Sequence, residues 1–252
     1  MKKLYQKSEI VFAITWIVAY CLLMSVGDAL SAMIGMEKSV TLAIGLALSG
    51  ALLVFLKRNG LEASYGLCRP TVPARTMLYY LPVLLLLTAN LWYGVTLNVG
   101  AVETVLYILA MFCVGFLEEI IFRGLLYRAL RRDNVKVAVI VSSVTFGMGH
   151  IINLINGSGA EWIPNLLQVV YATAAGFMFV MMYEKSRSLA GCIAVHGLFN
   201  ALSVFSDESA VTMPMRMISC LLLILISGGY GVYLAWTIKK EQSSHDKGEE
   251  NA

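Results

Sequence analysis

Residues 104–127 read TVLYILAMFCVGFLEEIIFRGLLY, an apolar run interrupted by Glu118, Glu119 and Arg123. At about 1.5 Å per residue a helix of this length crosses the roughly 30 Å hydrocarbon core of a bilayer. A charge held in mid-span costs at least ~2.5–3.5 kcal/mol on insertion scales, so charges kept there pair with one another or line a cavity. Glu119 and Arg123 stand four residues apart, acid before base, which is the favourable order for an intrahelical pair. Glu118 points about 100° away round the same helix and has no partner within its own span.

The rest of the chain supports a membrane reading of this stretch. Of 252 residues, 58% are hydrophobic and only 14% are charged, and the mean hydropathy is +0.74, well beyond what a water-soluble domain needs. Eight stretches, about 9–27, 39–56, 77–97, 104–127, 136–155, 163–183, 188–206 and 216–238, are long enough to span as helices. The expected fold is all-α: one polytopic membrane bundle of about eight transmembrane helices over residues 1–240, followed by a polar tail, 241–252, expected to be unstructured and to leave His245 solvated.

Basic residues test that count, because Lys and Arg collect on the cytoplasmic connections. Sixteen of the nineteen, from Lys2, Lys3 and Lys7 through Arg128, Arg131 and Arg132 to Lys239, Lys240 and Lys247, fall on alternate connections. The other side holds only Lys38 and Arg216 among Asp28, Glu37, Glu103, Glu161, Asp207 and Glu208. Both termini are therefore expected in the cytoplasm of a multi-pass plasma-membrane protein. The net charge of +3 follows from this topology and calls for anionic lipid as a neighbour, with no nucleic-acid partner. The first apolar run, about 18 residues, exceeds the roughly 7–15 of a cleaved signal core and is expected to stay as a helix.

The longest connection, 57–76, carries Gly60, Gly66, Pro70 and Pro73 and reads as a surface loop. NGSGAEWIPN, 156–165, reads as a short loop on the opposite side. Cys21, Cys68, Cys113, Cys192 and Cys220 show no paired spacing, which argues against a disulfide framework and against a cysteine zinc site.

Two of the three histidines also lie within spans. FGMGH places Phe146 and His150 on one helical face, and HGLFN does the same for His196 and Asn200. Counted from the cytoplasmic span ends, Glu118 lies roughly 14 Å deep, His150 about 21 Å and His196 about 12 Å. An acid and two imidazoles at overlapping depths on separate helices are candidates for one centre. A carboxylate beside a water can act as general base, with a histidine sharing or orienting the proton. A second histidine with an asparagine can donate hydrogen bonds to the oxyanion formed when water attacks an amide. Peptide hydrolysis needs both parts.

Taken together, EEIIFR (Glu118 to Arg123), FGMGH (Phe146 to His150) and HGLFN (His196 to Asn200) resemble the EExxxR, FxxxH and HxxxN motifs of the CPBP family, the CAAX-protease and bacteriocin-processing intramembrane endopeptidases, also called the Abi or type II CAAX prenyl endopeptidase family. The resemblance covers about 104–206. It implies that Glu118 and His150 activate water, that His196 and Asn200 form the oxyanion site, and that Glu119, Arg123 and Phe146 support the centre, Glu119 close to the chemistry. It implies a peptide or protein substrate, with or without a lipid. No cofactor is expected; zinc is the alternative, for which Glu118, His150 and His196 would be the ligands. Two non-proteolytic readings fit the same composition: a membrane immunity or peptide-binding protein that does not cut, and a small transporter, against which the lack of repeat symmetry counts.

Overall fold

The computed structural model describes residues 1–77, 81–156 and 161–250, with side chains through Ser244. The start of the third expected span, residues 157–160 of the 156–165 loop, the side chain of His245 and the last two residues lie outside the described residues.

Among the described residues seven helices make the body: α1 (Glu9–Ile34), α2 (Ser39–Arg58), α3 (Ala101–Glu118), α4 (Val135–Gly149), α5 (Trp162–Ser186), α6 (Ala190–Leu202) and α7 (Met213–Glu250). Helix α3 runs on without a break as a π-helix over Glu119–Tyr127 and one more α turn to Arg131, while α4 tightens into a 3-10 turn at His150–Leu154. Six of these helical stretches are long and apolar enough to cross a membrane, so the chain is a multi-pass membrane protein. Their outward faces carry Val11, Ile14, Val18 and Leu22 on α1 and Ile218, Leu221 and Leu225 on α7, all exposed, as suits surfaces that meet lipid.

Two of the eight expected spans differ from long helices. The seventh is the shorter α6, ending in a 3-10 turn at Phe205. The third is broken into short pieces, including Pro82–Leu87 and Ala89–Leu91. Its polar groups are met by neighbours instead of by its own helix: Asn90 donates to the Phe199 carbonyl at 2.6 Å, Asn98 to those of Val204 and Ser206 at 2.9 Å each, and Val95 pairs with Ser206 as an isolated antiparallel bridge. A broken backbone at membrane depth is tolerated when protein covers it in this way. The C-terminal segment also departs from expectation, because α7 extends through 241–250 instead of fraying. Glu, Gln and Lys there are good helix formers, and Glu241 is anchored by an ion pair to the buried Lys185.

Apart from the central pair Glu119–Arg123, the main ion pairs among the described residues sort to the two ends of the bundle. One end joins Arg132 to Glu9 and both Arg131 and Arg187 to Glu184. The other joins Lys38 to Asp28 and Arg216 to Glu208. Close helix contacts are made by small residues, the usual device where lipid removes any hydrophobic drive between helices. A Cβ on Gly115 of α3 would stand 2.6 Å from the Gly197 amide nitrogen of α6. These two backbones therefore touch directly, one residue beyond His196. Gly115→Ala is expected to push the helices apart and to destabilise the protein by about 1–3 kcal/mol, read as a lowered unfolding midpoint in detergent.

Candidate active site

The π-helical turn puts Glu119 and Arg123 at the centre of the bundle, both with no exposed side-chain surface, and closes a 2.9 Å contact between Glu119 Oε1 and Arg123 Nη1. π-turns are uncommon and concentrate at functional sites. Ser142 of α4 donates to the Phe122 carbonyl at 3.0 Å, which ties the irregular turn to its neighbour. The remaining Arg123 nitrogens, Nε and Nη2, have no hydrogen-bond partner among the described residues. The guanidinium instead lies 4.1 Å from the Phe146 ring centroid and 5.1 Å from that of Phe179, where the negative faces of the rings attract it. Phe146 thus supports the cation of the buried pair.

His196 of α6 bridges the two acids. Its Nδ1 lies 2.8 Å from Glu119 Oε1 and its Nε2 3.5 Å from Glu118 Oε2. With Glu119 as acceptor, Nδ1 carries the proton that is donated, which fixes the ring's orientation. Phe179 stacks on the imidazole at 5.4 Å with an interplanar angle of 17°, and Phe146 meets it edge-on. The ring has little freedom to turn.

Glu118 occupies a different environment. Its Oε1 accepts a 2.6 Å hydrogen bond from the Tyr20 hydroxyl of α1, and its side chain keeps 14% exposure. That opening is a polar cavity of about 300 Å³, lined by Glu118, His150 and Asn200 together with Tyr20, Asn153 and Gln168. Space of this size holds several waters, given polar partners. His150 Nδ1 lies 3.3 Å from the Phe146 carbonyl, and Asn165 donates to the His150 carbonyl at 2.9 Å, which holds the imidazole where α4 changes pitch. A narrow apolar slot joins on the far side, sharing His150, Asn200 and Gln168 with the cavity and adding His196, Phe179 and Phe199.

All the residues singled out from the sequence therefore converge, but in two layers. Glu118, His150, Asn200 and one side of Phe146 line the polar cavity, whereas Glu119, Arg123 and His196 form a packed layer behind it. Sequence reasoning missed Tyr20 and Phe179. A tyrosine or phenylalanine in an apolar span carries no local signal of the group it will meet on another helix. Among the described residues no group of three His, Cys, Asp or Glu side chains is placed to hold a metal ion.

The class that fold and site define is a helical membrane protein with an acid–imidazole–amide centre inside the bundle. The part that carries this centre has relatives: residues 100–202 match the family described as Type II CAAX prenyl endopeptidase Rce1-like. Over 113 residues the chain is 29% identical to "Putative membrane peptidase YdiL" of Bacillus subtilis (strain 168), covering 44% of this chain and 41% of that protein. Over 96 residues it is 34% identical to "UPF0177 protein in abiGi 5'region" of Lactococcus lactis subsp. cremoris, covering 38% and 35%. The chain thus spans less than half the length of these curated relatives. No solved structure matches.

Proposed function

We propose that the protein is an intramembrane endopeptidase that hydrolyses a peptide bond in a membrane-associated peptide or protein. The observation that carries this reading is the polar cavity onto which Glu118, His150 and Asn200 open from three separate helices. The similarity of 100–202 to type II CAAX prenyl endopeptidases supports the same class of reaction. The depth of these residues within the bundle favours a substrate delivered through the membrane.

In the proposed reaction Glu118 takes a proton from a water held between it and His150, and the water oxygen bonds to the scissile carbonyl carbon. The side-chain amide of Asn200 donates to the oxyanion. His196 is held back by Glu119 through Nδ1, so only Nε2 faces the reaction, and donation from it to the oxyanion requires a proton on both ring nitrogens. Collapse of the tetrahedral species breaks the C–N bond, and the proton on Glu118 passes to the leaving amine. The Glu119–Arg123 pair keeps His196 and the helix turn in place. No step is assigned to a metal.

The test compares peptides in membranes of cells making the wild-type protein or His150→Ala at equal levels, with and without a strong chelator. The expected result is a set of new peptide termini made only by the wild type and unaffected by chelation. Identical termini in both membranes would contradict the reading and would favour a binding or immunity protein that does not cut.

A further inference from the structure

We infer that Tyr20 is a positioning residue of the site, so that the first membrane helix, outside the segment shared with the peptidase family, completes the catalytic centre. The inference rests on the assignment of Glu118 as the base. Tyr20 is buried in α1 and its hydroxyl donates to Glu118 Oε1 at 2.6 Å, a contact between residues 98 apart in sequence. The length is that of a charge-assisted O–H···O bond.

The geometry gives this bond a specific task. Glu118 is the last α-helical residue before the π-turn, and the cation of that turn, Arg123, is engaged by Glu119 instead. Two other neighbours hold the Glu118 carboxylate: Tyr20 on Oε1, and His196 at a longer 3.5 Å on Oε2. With Oε1 occupied by the phenol, Oε2 is the oxygen left to receive a proton from water. A carboxylate free to rotate about its terminal bond would present either oxygen and would spend part of its time turned from the water. Tyr20 does not touch the reacting atoms and acts only through Glu118. Its ring packs in the core that α1 shares with the π-helical continuation of α3, so a variant that keeps the ring isolates the hydroxyl.

Tyr20→Phe is the test, read with purified full-length protein and a substrate found by the membrane-peptide comparison. Losing one hydrogen bond to a charged group is expected to lower kcat by about tenfold, with KM within about twofold and the unfolding midpoint unchanged. A second readout needs no turnover. The carboxylate stretching band of Glu118, identified by its loss in Glu118→Gln, is expected to shift in Tyr20→Phe. A wild-type kcat with an unshifted band would overturn the inference while leaving Glu118 as the base. Full activity in Glu118→Gln would instead defeat the functional reading, and the band shift would still decide whether the hydrogen bond exists.

Discussion

Glu118→Gln is expected to leave a folded, inserted protein whose cleavage rate falls by about 10²–10⁴-fold, the range that a positioned general base supplies. Gln is nearly the same size and can still accept from Tyr20, so the hydrogen bond and the local packing survive. Only the capacity to take a proton is lost. The cavity is polar and Glu118 is partly exposed to it, so removing the charge leaves no buried group stranded. The outcome separates roles within the adjacent pair: the rate should collapse at Glu118 with stability unchanged, whereas Glu119 and its arginine govern stability. Cleavage rate and unfolding midpoint, measured on the same preparation, check both halves.

The second large effect falls on stability. Arg123→Met is expected to destabilise the bundle by about 3–5 kcal/mol, because it leaves the Glu119 carboxylate fully buried without its cation. Glu119 Oε2 already lacks a hydrogen-bond partner among the described residues, so the arginine is its main compensation besides His196. Adding Glu119→Gln to Arg123→Met should recover more than half of that loss, since a buried ion pair replaced on both sides by uncharged groups is often close to neutral. Activity should not return with it, because His196 then lacks the charged acceptor that fixes its ring. Unfolding midpoints of the two variants in detergent, with cleavage assayed alongside, test both statements.

How much of this was open to sequence reading depends on the range of the interactions involved. The Glu119–Arg123 contact is local, four residues along one helix, and its acid-to-base order is visible in the sequence. The pairs Phe146–His150 and His196–Asn200 are legible for the same reason. What spacing cannot show is which faces meet. Helix packing sets that, and here it depends on Gly115 and Gly197 allowing α3 and α6 into backbone contact. Tyr20 was hidden because a phenol in an apolar span looks like any other aromatic until its partner appears 98 residues later. The π-turn has no residue that announces it. The third crossing read as a span because hydropathy counts side chains, while its short pieces are tied to α6 by the Asn90 side chain and to the turn after it by the Val95–Ser206 bridge. The tail read as unstructured from its polarity, although its helix formers and the Lys185–Glu241 pair extend α7.

The most direct measurement of the central claim is a single turnover in ¹⁸O-labelled water with a substrate identified from the membrane comparison. If Glu118 primes water for attack on the amide, the first product formed carries one ¹⁸O atom in its new terminal carboxylate and Glu118 carries none. An unlabelled first product, with the label found in the Glu118 side chain, would show that the carboxylate attacks the substrate itself and would contradict the account.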